Sequence, residues 1–211
     1  MAPFASSRPI IVLATGNLHK IRELRQLFRL PGIRWRSLAD DPTIAPIDET
    51  GRTFEENAIL KARAAAAATG QVALADDSGL EVDALGGAPG VQSARFAGAH
   101  GDTEANTKKL LRLLRGVAPA HRLARYRCVL ALADPSRLIA TTQGVWHGWI
   151  AERPAGRGGF GYDPIVRIAR EGPTVAQLPS ATKQRLSHRA MAARRMRVVH
   201  QRWLRLKRTG E

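Results

Sequence analysis

Residues 74–90 read LADDSGLEVDALGGAPG. A short apolar run meets two adjacent carboxylates, Asp76 and Asp77, and then Ser78-Gly79. Like charges side by side repel, and each raises the other's pKa unless a cation stands between them. Such a pair suits a solvated turn, a metal ion or proton chemistry. QVALAD, residues 71–76, reads as a buried strand that ends at the pair. LEVDAL, residues 80–85, reads as a further strand closed by the turn at Gly86-Gly87-Ala88-Pro89-Gly90.

Upstream, PIIVLAT (residues 9–15) is a β-branched apolar run, hence another buried strand. It feeds NLHKIRELRQLFRL, in which Leu18, Ile21, Leu24, Leu27 and Phe28 recur at helical spacing until Pro31-Gly32. A second helix starts at Thr53, where Glu56 completes a capping-box pattern, and stops at Gly70. Downstream come a helix over 103–115 and two strands, ARYRCVLALAD and RLIATTQGVWHGWI, expected to pair antiparallel across Asp134-Pro135. A glycine-rich loop, RGGFGYDP, a short strand and a basic terminal helix from Ser187 follow. Alternating strands and helices followed by antiparallel strands predict a mixed-sheet α/β domain.

The chain has 211 residues, one cysteine (Cys128) and a formal net charge of +15. Among 33 basic residues six are lysines, leaving 27 arginines, dispersed except for a cluster after Arg194. That excess fits a nucleic-acid binder, a site for a small anionic substrate, or a solvated surface of biased composition, to which the alanine run 64–68 also belongs. Aromatic content of 5% disfavours a base-stacking surface. No run approaches the roughly 18 apolar residues of a membrane span, and residues 1–9 lack an apolar signal core. With a single cysteine, an internal disulfide is impossible, which permits a reducing compartment without establishing one.

Four stretches carry chemistry. Thr15-Gly16-Asn17, between a strand and a helix, offers free N–H groups and the positive helix end, with Lys20 one turn on. The pattern is not a P-loop, and a plain helix cap is the alternative. Asp48-Glu49 and Asp76-Asp77 come from separate elements and would hold Mg²⁺ if they converge, or be solvated turns if they do not. In GGFGYDP, Phe160 offers a face for a flat ligand and Asp163 a hydrogen-bond acceptor, or else Phe160 plugs the core. In KQRLSHRAM, Ser187 is the expected N-cap, and His188 and Arg189 oppose the helix dipole unless an anion or a bonded base relieves them.

The strings TGNLHK, DETGRTFEENAILKA, DDSGLEVDALGGAPGVQSARFAG, GGFGYDP and K…SHR, in this order, closely resemble the non-canonical purine nucleoside triphosphate pyrophosphatases, or inosine/xanthosine triphosphate pyrophosphatases. The resemblance runs from Ile10 to the last helix. It implies one domain over residues 1–211, with 1–8 flexible, built as a mixed twisted sheet with flanking helices and two lobes around a central cleft. It implies Mg²⁺-dependent hydrolysis of ITP, dITP and XTP to monophosphate and pyrophosphate, by a cytoplasmic homodimer with neither a specific nucleic acid nor a membrane as partner. By motif, Thr15, Gly16, Asn17 and Lys20 would bind the triphosphate and Ser78 would contact substrate. Asp77 would accept the proton and ligate metal with Glu49 or Asp48, Glu49 being preferred because many relatives have Glu-Glu where Asp48 stands here. Phe160, Gly161, Tyr162, Asp163, Lys183, His188 and Arg189 would form the base and phosphate pocket. A pyrophosphatase for modified pyrimidine nucleotides and a nucleic-acid-binding module are the competing readings.

Overall fold

The computed structural model describes residues 9–28, 33–40, 44 and 47–209. The flexible stretch expected at 1–8 and the helix stop at Pro31-Gly32 lie outside the described residues. Six strands form one sheet in the order β2-β1-β3-β4-β5-β6. They are β1 (Ile10–Leu13), β2 (Arg34–Ser37), β3 (Val72–Val82), β4 (Leu123–Ala133), β5 (Leu138–Ile150) and β6 (Val166–Arg167). β1 pairs parallel with β2 and β3, and the remaining pairs are antiparallel. The helices are α1 (Leu18–Leu27), α2 (Phe54–Thr69), α3 (Thr103–Leu113), α4 (Ser180–Leu186) and α5 (His188–Thr209). The mixed α/β architecture is as expected; β2 and α4 had no clear signature in their short, polar sequences.

The main correction concerns residues 71–85. They do not form two strands separated by an acidic turn. β3 runs unbroken through Asp76, Asp77, Ser78 and Gly79, paired residue by residue with β4, Asp77 opposite Val129 and Asp76 opposite Leu130. A strand places successive side chains on opposite faces, so the two carboxylates point apart. Gly79 is required here: a Cβ would lie 2.4 Å from Ser93 Oγ and 2.6 Å from the Gly90 carbonyl, where the turn at Gly90–Arg95 crosses the strand.

The core has three parts. Leu74, Leu130 and Leu132 face Ile21, Leu24 and Phe28 of α1 and Ala192, Ala193 and Met196 of α5. On the opposite face, Ala73, Ala75, Ala131 and Ala133 receive Ala58, Ala62, Ala65 and Ala66 of α2. Alanine against alanine lets this helix lie close on the sheet, so part of the alanine run is packing as well as composition. Further along the same long strands, Leu80, Val82, Ala124 and Tyr126 join Leu110, Leu114, Tyr162 and Ile165 in a separate cluster. The expected two lobes correspond to this division, and Asp76–Gly79 sits where one core gives way to the other.

Local details also differ. Leu18, counted on the apolar face of α1, is 60% exposed in its first turn. The capping box is half formed: Glu56 N–H donates to Thr53 Oγ1, but the Glu56 carboxylate accepts from Arg52 N–H rather than from Thr53. Gly70 caps α2 in the left-handed conformation, as expected.

Candidate active site

At the start of α1 the side chain of Asn17 is a helix cap. Its Oδ1 accepts from His19 N–H and Lys20 N–H at 3.0 and 3.2 Å, and Thr15 Oγ1 accepts from Asn17 N–H. A Cβ at Gly16 would meet nothing within 4 Å, and its φ is not positive. The fold itself therefore does not demand glycine there. Lys20 leans inward, its ammonium 2.6 Å from Asp76 Oδ1.

Asp76 is fully buried on the α1/α5 face. Its oxygens accept from Arg189 Nε at 2.8 Å, Ser78 Oγ at 2.9 Å and Cys128 Sγ at 3.2 Å, besides Lys20. Burial alone raises its carboxyl, but Arg189 and Lys20 outweigh that and hold it well below the usual range. Burial, and next the Asp76 carboxylate, push the Cys128 thiol well up against the opposing effect of Arg189 and Lys20, so it stays protonated and donates.

Asp77 faces α2. Its Oδ1 accepts from Lys61 Nζ at 2.8 Å, and Lys61 also donates to Glu49 Oε1 at 2.6 Å. Glu49 and Asp77, 28 positions apart in the chain, thus share one ammonium. Asp77 Oδ2 is buried without any hydrogen bond. Burial raises this carboxyl, and Lys61 and Lys20 only partly offset it. Lys61 is held charged, because Asp77 and Glu49 outweigh the opposing effect of burial. Asp48 is exposed.

Across the waist, Asp163 organises the glycine-rich loop. It accepts from Phe160 N–H (2.9 Å), Lys183 Nζ (2.6 Å) and Tyr126 OH (3.0 Å). Gly159, at φ 73°, sits so close that a Cβ would lie 2.0 Å from Asp163 Oδ2. The acceptor expected to face a base is therefore spent inside the protein. Tyr162 is also corrected: its ring is part of the core and its OH donates to the Ser93 carbonyl. Gly161 takes the left-handed conformation beside Phe160. Lys183 Nζ lies 4.5 Å from the Phe160 ring centre and Arg189 Cζ 5.7 Å from it.

Ser187 accepts from Ala190 N–H, as an N-cap should, while also closing α4. The unfavourable cation at the start of α5 is relieved by the protein's own anions, since Arg189 binds Asp76 and Glu23 and donates to Ser78 Oγ. Glu23 also holds Lys183 at 2.9 Å. His188 is buried, stacked on Tyr126 with ring centres 4.8 Å apart, and its Nδ1 has no partner. Burial, aided by Arg189, depresses its imidazole well below the ordinary value, so it is neutral at pH 7.

Comparison with known sequences decides the family. The Ham1 family profile matches residues 11–199. The chain belongs to the Ham1 family. Its relatives include proteins named dITP/XTP pyrophosphatase from Desulforamulus reducens, 49% identical over 88% of this chain and 92% of the relative, and from Bacillus subtilis, 45% identical over 88% and 93%. Among solved structures, a HAM1 protein from Coxiella burnetii is similar with a TM-score of 0.83 and 40% identity, covering 92% of this chain and 99% of that one. A nucleoside-triphosphatase / dITP/XTP pyrophosphatase from Mycobacterium abscessus gives 0.72 and 41%, over 89% and 97%.

On this Ham1 scaffold, Lys20, Ser78, Lys183 and Arg189 meet through Asp76 and Glu23, while Asp77 meets Glu49 through Lys61. Lys61, Glu23, Tyr126 and Cys128 were not anticipated. Lys61 had a signal: it lies on the buried stripe of α2 with Phe54, Asn57, Ala58, Ala62 and Ala65, where a charge is out of place without a partner. Glu23 had none, because its partners arrive from α4 and α5.

Proposed function

We propose that this chain hydrolyses deaminated purine nucleoside triphosphates (dITP, ITP and XTP) to the monophosphate and pyrophosphate, with Mg²⁺ as cofactor. The names carried by its relatives support the substrate class. The single observation that carries the chemistry is Asp77: a buried carboxylate with one oxygen unpaired, beside Glu49. Among the described residues no group of three or more His, Cys, Asp or Glu side chains could hold a metal by itself. Two carboxylates suit Mg²⁺ nonetheless, since it binds through one or two of them and completes its shell with water and substrate phosphates. Asp77 and Glu49 would hold it, and bound there it would neutralise charge developing on the phosphates.

The protein's own groups supply the remainder. The triphosphate lies at the N-terminus of α1, where the N–H groups and Lys20 attract it. Lys20 exchanges its partner Asp76 for phosphate; Asp76 keeps Arg189, Ser78 and Cys128. Asp77 Oδ2 accepts a proton from the attacking water. The water oxygen bonds to the α-phosphorus, the bond to the bridging oxygen breaks, and pyrophosphate leaves with that electron pair. Near Phe160, Lys183 is a donor for the C6 oxygen that hypoxanthine and xanthine carry and adenine replaces with an amine. A donor facing a donor leaves buried groups unpaired, which rejects adenine. We take the working unit to be a cytoplasmic homodimer.

A panel of dITP, XTP, GTP, dUTP and dTTP, with and without Mg²⁺, tests the proposal by pyrophosphate release. Metal-dependent turnover confined to the first two is expected. Preference for a pyrimidine triphosphate would overturn it.

A further inference from the structure

His19 has no part in the roles assigned so far, yet it touches the base end of the site. Its backbone N–H is held by the Asn17 cap in the first turn of α1. Its exposed imidazole lies against Phe160, 141 positions further along the chain, with ring centres 5.0 Å apart and planes inclined by 16°. Phe160 is itself fixed through its N–H on Asp163. The stack therefore spans from the phosphate end to the base end. A flat base between two rings needs about 3.5 Å on each side, or roughly 7 Å in all. At 5.0 Å the two rings leave no room for one.

Resting on the reading of Phe160 as the base platform, we propose that His19 is a placeholder for the nucleobase. Its imidazole covers the platform in the nucleotide-free protein and leaves when the base arrives. Departure is easy, because the ring is exposed and its nitrogens make no hydrogen bond among the described residues. Occupancy by His19 lowers the fraction of binding-competent protein for any ligand with a base. It does not affect a ligand that has phosphates alone. The His19 imidazole thus weakens nucleoside binding while the backbone at the start of α1 stays in place for phosphate, and this speeds release of the monophosphate product.

The test compares inosine 5′-monophosphate with inorganic tripolyphosphate as inhibitors of dITP hydrolysis. In His19→Ala the inhibition constant of the monophosphate should fall about threefold to tenfold, the worth of one aromatic stack. That of tripolyphosphate should stay within about twofold. His19→Phe, which stacks more strongly, should raise the constant for the monophosphate. A weaker or unchanged monophosphate in His19→Ala would overturn the proposal, the weaker case making His19 a second wall of the base slot. Equal shifts for both inhibitors would also overturn it and assign His19 to the phosphates. If the wild type hydrolyses neither dITP nor XTP, the functional reading fails separately. Calorimetric binding of the same two ligands to the same variants then still decides the role of His19.

Discussion

Asp76 and Asp77 are neighbours in sequence and opposites in chemistry. Asp76 has four partners, is held ionised, and ties β3 to α1 and α5. Asp77 has one partner, a bare buried oxygen and a raised pKa. The strand pleat separates them, and each meets the helices packed on its own face. A residue pair that looks like one acidic site is a fully paired anchor and an under-coordinated carboxyl back to back.

The largest expected effect is on the Asp77 side. Asp77→Asn should lower pyrophosphate release from dITP by about 10²–10⁴-fold, the usual contribution of a positioned base. Its melting temperature should hold or rise, since a poorly solvated charge is removed. Near-wild-type turnover would refute the assignment. Asp76→Asn should do the reverse in kind: it strands Arg189 and Lys20, and breaking a buried pair costs about 3–5 kcal/mol. For a chain of this size that is roughly 10 °C in melting temperature, readable by calorimetry. An unchanged melting temperature would deny Asp76 its anchoring role.

The pH dependence of metal-free unfolding sharpens the contrast, because the two acids have opposite signs. The depressed pKa of Asp76 stabilises the fold above about 3.9, the unfolded value, and this is lost as pH falls through the folded value. The raised pKa of Asp77 stabilises the fold below that unfolded value, and this is lost as pH rises through the folded one. Asp77→Asn should therefore gain on wild type as pH rises above about 4, while Asp76→Asn should lose its acid-side dependence. Urea titrations across pH 3–8 would reveal the crossing, and parallel curves would refute it. The smallest effect is at Cys128. Cys128→Ala removes one of several donors to Asp76 and should cost about 1 kcal/mol. Turnover should be unaltered, whereas a large loss of activity would mean that the anchor is less redundant than its contacts imply.

Much of the fold was legible because its signals are local. The β-branched run of β1, the cap at Thr53, the stop at Gly70 and the turn at Asp134-Pro135 between β4 and β5 depend on residues a few positions apart. The break assumed at Asp76-Asp77 was wrong because polar residues usually end strands. Here Lys20, Arg189 and Lys61, from three separate helices, compensate the charges and let the strand continue. The site was legible as a set of residue types, but their division of labour was not. Asp163 and Tyr162 face inward because Lys183, Tyr126 and Ser93, distant in sequence, meet them there.

By itself the sequence determined the elements, the family and which side chains could do chemistry, since these are properties of composition and spacing along the chain. The tertiary structure alone decided which carboxylate is fully paired and which keeps a bare oxygen. That depends on the cations brought to each face of one strand, and in a buried setting an unpaired charge and a paired one behave as different chemical groups.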